Sequence, residues 1–412
     1  LNRELSWTEL MAASERVGPT FYLADVERFV ASCGRLLDAF RARYPRTSIA
    51  YSYKTNYLPA FIRAADSLGA WSEVVSAFEY DFAIGLGIPP ERILVNGPIK
   101  GAEDLIRMIV DGARVHVDSP AEIETLLSLT DLGAGKGAIP IGLRCHLGDN
   151  TPGSRFGIDL GSDEGAAALQ ALDAAPQFRV AALHAHHSAD RAAEVYRARA
   201  EALVGLHHDI LGGRSLEYID VGGGLASDME PELVAQMPAA PPSFEDYAEA
   251  VAGTFRAAYG SGGPALILEP GIGLVSDAMV FVAKVELLKE IGGARYAVVD
   301  GSVFNIKPLR HGINLPLRVV SAPGNSGREG PWDVVGFTCM EKGVDLLHSG
   351  CTSSMAPGDF VVVRNIGAYS IVLNAPFIRG TPPILEVKDG RPGRVLRRAS
   401  TATDLLESYR EP

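Results

Sequence analysis

The 412-residue sequence has only four cysteines, Cys33, Cys145, Cys339 and Cys351, and no CxxC pair among them. Such sparse, scattered thiols argue against a disulfide scaffold and against a zinc site, so no metal is expected and a reducing, cytoplasmic setting is. No apolar run reaches the length of a membrane-spanning helix. Basic patches are missing as well: 38 Lys and Arg against 50 Asp and Glu leave a formal net charge of −12, with both signs interspersed. That balance argues against nucleic acid or an anionic membrane as partner. The opening LNRELSWTEL does not follow the pattern of a signal peptide. Solenoid repeats and low-complexity tracts are absent too.

What is present is a long, ordinary globular composition, 47% hydrophobic and 21% charged, enough for two domains. Eight β-prone runs alternate with stretches of helical period: 48–54, 71–76, 92–97, 114–119, 138–147, 178–187, 216–224 and 265–271. Strands apolar throughout and separated by helices indicate a parallel sheet covered on both faces. Eight such units in about 250 residues suit an α/β fold of (β/α)8 TIM-like barrel type better than a doubly wound open sheet. After residue 272 the texture turns to strands and Gly/Pro turns, among them RYAVVDGSVF, WDVVGFTCM and DFVVVRNIGAYSIVL, which predicts a C-terminal β-rich sandwich or barrel domain. The expected division is a barrel over 22–272, with 1–21 and 273–412 forming the β domain.

Four signals fall at four predicted strand ends, where a barrel of this kind carries its chemistry. Lys54 closes the run IAYSYKTN, HAHHS (184–188) closes the sixth, DVGGGL (220–225) the seventh and EPG (269–271) the eighth. Gly222, Gly223 and Gly224 let backbone N–H groups approach an anion, or simply make a tight turn. Glu269 at a strand end needs a cationic or N–H partner: a structural ion pair, or the ring nitrogen of pyridoxal phosphate (PLP), whose protonated form is the stronger electron sink. His184, His186 and His187 suit hydrogen-bonded core roles or stacking on an aromatic cofactor. Lys54, in a dry pocket, is expected to have a lowered pKa and so a nucleophilic amine able to bond an aldehyde cofactor.

With these residues assembled, the chain resembles the fold type III PLP-dependent decarboxylases, the group of diaminopimelate, ornithine and arginine decarboxylases, as a divergent member. YSYKTN is similar to that family's lysine motif, DVGGGL to its phosphate-binding glycine loop and EPG to its ring-nitrogen segment. FYLADVERF, VHVDSPAEIE, IGLRCHL with SRFGI, VVGFTCMEKGVDLL and GAYS match in turn. The resemblance implies α-decarboxylation of an amino acid or amino-acid-like substrate through an external aldimine, with Lys54 and Cys339 catalytic. It implies cofactor contacts from Lys54, His186, Ser188, Gly222, Gly223, Gly224, Glu269, Gly271 and Tyr369. It also implies a homodimer in which the cysteine segment reaches the other subunit's site. Side-chain recognition would fall to Met340, Glu341 and Arg310. Cys351 competes with Cys339, and His187 with His186.

The departures are specific. HAHHS lacks the glycine of the family's H-x-H-x-G-S, Ile272 stands where an arginine that helps hold phosphate is usual, Met340 replaces the acid after the cysteine, and Glu73 replaces an aspartate. An amino-acid racemase on the same architecture is the first alternative. Glu269 argues against it, because such racemases pair the ring nitrogen with arginine. A degenerate homologue that binds cofactor or partner without turnover is the second.

Overall fold

The computed structural model describes residues 3–129, 137–150, 152–187, 190–306, 312–341 and 343–409. Two compact units emerge, one of Leu1–Ala31, Ser227–Ala240 and Leu274–Pro412, the other of Ser32–Ala226 and Pro241–Gly273.

Strand β1 (Thr20–Ala24) belongs to the first unit. The second unit is the barrel: β2 (Thr47–Ser52), β3 (Trp71–Val74), β4 (Ile93–Val95), β5 (Arg114–Val117), β6 (Ile139–Arg144), β7 (Phe178–His184), β8 (Tyr218–Gly223) and β9 (Ala265–Glu269). All eight pair in parallel in chain order, and β9 closes the ring on β2 in the register Ile49↔Leu268. Each run read from the sequence supplies one barrel strand. Ala50, Leu94, Ala182, Tyr218 and Ile267 form a buried cluster. Since β4 and β8 are not neighbours in the ring, contacts among these residues run through its interior, which is packed rather than hollow.

Short serine caps turn the chain from strand to covering helix. Ser76 follows β3 and accepts from Glu79 N at the start of Ala77–Gly85. Ser119 follows β5 and accepts from Glu122 N, with Pro120 at the first helical position of Pro120–Leu127. Each satisfies a backbone donor that a helix start leaves open.

The first unit holds β10 (Met279–Ile291), β11 (Ala294–Val299), β12 (Leu317–Val320), β13 (Trp332–Val335), β14 (Leu346–Cys351), β15 (Phe360–Val363), β16 (Ile384–Lys388) and β17 (Arg391–Arg397). They form one sheet with β1, in the order β14-β13-β11-β10-β1-β16-β17, with β15 on β10 and β12 on β15. The long β10 explains this branching: Met279–Ala283 pairs with β1, Phe281–Lys284 with β15, and the residues from Val285 onward with β11. Alternation sets its covered face. Phe21 and Leu23, Val280 and Val282, Phe360 and Val362, and Leu385 and Val387 pack with Leu10 and Ala13 of the helix Trp7–Val17.

Two expected strands are shorter than their apolar runs. WDVVGFTCM is strand only over β13, and DFVVVRNIGAYSIVL only over β15. Beyond β15 the chain turns, with positive φ at Asn365 (57°) and Tyr369 (63°). A Cβ on Gly367 would stand 1.7 Å from Val275 O, so here backbone packs on backbone and a pleated strand cannot continue. RYAVVDGSVF likewise leaves β11 and ends in the short helix Val303–Ile306.

Candidate active site

The barrel's C-terminal mouth gathers the signals of the second unit. β2 ends at Ser52, and a single 3-10 turn, Tyr53–Thr55, carries Lys54 out of the sheet. Lys54 Nζ donates to both oxygens of Glu73, at 2.7 and 2.5 Å, and Ser52 Oγ donates to Oε2 at 2.5 Å. Glu73 lies on β3, next to β2 in the ring, and is wholly buried, whereas the Lys54 side chain is 33% exposed. The expected lowering of the Lys54 pKa is therefore overturned. Burial does pull it down, but the Glu73 carboxylate, then Glu269, outweigh burial and hold it above the ordinary 10.5. The sequence reading registered Glu73 as a departure without seeing it as this lysine's partner.

Glu269 ends β9, on the other side of β2, and is 3% exposed. Its Oε1 accepts from Asn96 Nδ2 at the end of β4 and lies 3.5 Å from His184 Nε2. Asp220, on β8, accepts from Gly222 N at 2.8 Å through Oδ1, while its buried Oδ2 has no hydrogen-bond partner among the described residues. Two buried carboxyls side by side do not both ionise. Burial, then the Glu269 charge, push Asp220 well above the ordinary carboxyl range. Burial opposes the Glu269 charge as well, but His184 beside it and Lys54 hold it well below the ordinary value. Asn96 and Asp220 were not singled out from the sequence. Asn96 ends the run RILVNG and Asp220 opens DVGGG, a polar residue at an apolar strand's end in each case, and that was the available signal.

Burial lowers the pKa values of His184 and His186, the latter well below the ordinary 6.5. His186 Nδ1 accepts from Gly223 N at 3.0 Å, which leaves the ring proton on Nε2. His187 Nε2 lies 3.1 Å from Pro152 O instead. The His184 ring stacks on His116 at 5.0 Å and 24°, and His116 Nε2 is 2.9 Å from Tyr218 OH. Among the described residues, His116, His184 and Asp220 form the one group of metal-ligand type, with all three buried.

The glycines are required by shape. Gly222 has φ +73°, and a Cβ there would stand 2.7 Å from Ala185 O and 2.9 Å from His186 Nδ1. A Cβ on Gly223 would meet Glu269 O at 2.0 Å, and one on Gly271 would meet Thr55 Oγ1 at 2.1 Å. Lys54, Glu269, His186 and these glycines thus share one mouth, a bare backbone cradle beside a buried carboxylate. Such a donor set fits a phosphate-bearing aromatic aldehyde.

The remaining candidates lie on the first unit. Cys339 is exposed after β13, and Cys351 is buried at the end of β14. Met340 and Glu341 are exposed, and Tyr369 is partly buried in its positive-φ turn. Ser188 and Arg310 lie outside the described residues.

A barrel with this cradle defines a PLP-dependent enzyme class. Residues 30–276 match the family of pyridoxal-dependent decarboxylases over its pyridoxal binding domain, and the chain belongs to that family. It is a PLP-dependent amino-acid decarboxylase, a carbon–carbon lyase. It is 28% identical over 423 residues to the diaminopimelate decarboxylase of Methanothermobacter thermautotrophicus, covering 97% of this chain and 93% of the relative. It is 29% identical over 387 residues to that of Actinosynnema pretiosum, covering 89% and 84%. Among solved structures, M. jannaschii diaminopimelate decarboxylase superposes with a TM-score of 0.83 at 22% identity, covering 98% of this chain and 94% of the other. The Helicobacter pylori enzyme in complex with L-lysine gives TM-scores of 0.80–0.81 at 21–22% identity in two crystal structures, with 97% and 98% covered.

The raised Lys54 pKa sets a pH dependence. Below 10.5 the ammonium–Glu73 pair contributes its full stability, which is lost only as pH rises through the still higher folded value. Only the neutral amine attacks an aldehyde, so PLP capture should quicken with pH across the neutral range. Glu73→Gln removes the main opposing charge and lets burial act. Capture at pH 7.5, followed by stopped-flow absorbance, should quicken about tenfold or more, one pKa unit being a factor of ten. An unchanged profile would show that the pair does not govern the amine.

Proposed function

We propose that this chain removes the α-carboxylate of an amino acid as CO2, with Lys54 as the residue that would hold PLP covalently. The observation that carries this reading is the pairing of Lys54 and Glu269 on adjacent strand ends, β2 and β9, beside a glycine cradle. When bound, PLP supplies the electron sink for the bond that breaks. Glu269, kept ionised by its surroundings, would hold the ring nitrogen's proton. Neutral His186 would lie against the ring, the backbone of Gly222–Gly224 and Gly271 would face phosphate, and Tyr369 and Ser188 would add further phosphate contacts. Cys339, whose exposure on a loop suits a mobile proton donor better than buried Cys351 does, would return a proton to the α-carbon.

The curated relatives of this chain include diaminopimelate decarboxylases, which makes diaminopimelate the first substrate to try. Met340 offers no charge to a distal ammonium, so Glu341 and Arg310 would have to supply polar recognition. A CO2-release screen over amino acids in D2O tests the reading. Release of CO2 with deuterium at the α-carbon of the amine product is expected. Deuterated amino acid without CO2 would indicate an epimerase instead.

The working form we propose is a cytoplasmic homodimer with shared sites, in keeping with four free cysteines and with candidate groups divided between two units of the chain. Lys54→Ala and Cys339→Ala chains, each inactive, should regain about a quarter of the wild-type activity when mixed and allowed to exchange, because half the dimers then hold one intact site of two. No recovery, with exchange verified, would place both residues of a site on one chain.

A further inference from the structure

Arg199 is the most deeply buried cation of the barrel unit that lacks an acid. It sits on the helix Ala193–Gly205 and is 0% exposed. Among the described residues no carboxylate pairs with it. Nη1 donates to Val221 O at 3.0 Å and Nη2 to His187 O at 2.5 Å, while the buried Nε has no acceptor among the described residues. Its guanidinium lies 4.5 Å from the centre of the Tyr196 ring, and Tyr196 OH donates to Gly223 O at 3.0 Å. An unpaired buried cation is costly, and two peptide carbonyls do not neutralise it.

The contacts of this side chain all lead to the cradle. Val221 O belongs to the peptide whose N–H, that of Gly222, already donates to Asp220 Oδ1, and Gly223 O belongs to the peptide whose N–H is that of Gly224. Drawing on a peptide's carbonyl makes its N–H a better donor, because hydrogen bonds polarise one another in series. His187 follows His186, whose ring accepts the intervening Gly223 N. At the neighbouring strand end Ile272 brings no charge, and Lys54 is matched by Glu73.

We propose that Arg199 is a positioning residue whose missing counter-ion is the cofactor's phosphate: from behind the glycine loop it supplies the positive field, while Tyr196, held against it, sharpens the Gly224 N–H through Gly223 O. This inference rests on the PLP reading above. It assigns phosphate recognition in this chain to a buried helix residue that need not touch the phosphate.

The test compares two aldehydes that differ only in phosphate. The full chain, freed of cofactor, is titrated with PLP and with pyridoxal, following the absorbance of the lysine adduct. Arg199→Met should lower PLP affinity about tenfold or more and change pyridoxal affinity less than about threefold, with Arg199→Lys between the two. If Arg199→Met does not fold, Tyr196→Phe carries the test, with the same selective loss expected at a few-fold. Equal losses for both aldehydes would mark a purely structural arginine and overturn the proposal, as would an unchanged preference for PLP. A wild-type chain that captures neither aldehyde would overturn the PLP reading and this inference together. One that captures both while the variants keep its preference would overturn this inference alone.

Discussion

Replacing Lys54 with alanine is expected to abolish the absorbance band that forms when PLP is added and to cut CO2 release by about 10³-fold or more, since both covalent capture and a candidate proton carrier are lost. The variant also alters the fold's electrostatics. Glu73 is fully buried and takes two of its three hydrogen bonds from Nζ, leaving Ser52 Oγ as the remaining donor. Stripping one partner from a buried pair costs on the order of 3 kcal/mol. The clean experiment therefore adds Lys54→Ala/Glu73→Gln, which removes the stranded charge. Its melting temperature should recover toward wild type while the band and the activity stay absent. A band of wild-type intensity in either variant would mean that the aldehyde bonds elsewhere.

Glu269→Gln should lower kcat by about 10²- to 10³-fold with little change in KM, because a carboxylate facing the ring nitrogen acts on the charge that develops during bond breaking. Shape is kept, so the loss is electrostatic. Stability should respond to pH with a definite sign. Glu269 has a lowered folded pKa, so its contribution is present above 4.5 and is lost as pH falls through the folded value. Asp220 has a raised one, so its contribution is complete below 3.8 and is lost as pH rises toward the folded value. In Glu269→Gln burial still raises Asp220 but the Glu269 charge no longer adds to it, and the alkaline decline should shrink along with the acid one. Melting curves from pH 2 to 9 check this. A wild-type pH profile in the variant would show that the two carboxyls do not interact.

The resemblance carried by short motifs named the family, and it did so because PLP chemistry requires particular residues at particular strand ends. YSYKTN, DVGGGL and EPG are such ends, and local sequence holds all that is needed to recognise them. The expected lowering of the Lys54 pKa failed for a physical reason. Whether burial or a counter-charge prevails depends on which side chain the neighbouring strand presents, and Glu73 comes from 19 residues away. The strand readings failed in the same manner at Tyr369 and Cys339, where apolar composition persists but close backbone packing at Gly367 and a turn after β13 end the pleat.

The eight apolar runs and their spacing determined the barrel by themselves, since a buried parallel strand must be hydrophobic on both faces and each crossover needs a helix. Only the tertiary structure decided which polar groups meet: Lys54 with Glu73, Glu269 with Asn96 and His184, and Arg199 with the carbonyls of the glycine loop. Those pairings are set by ring order and strand register, and electrostatics acts through distance in space, of which distance along the chain carries no record.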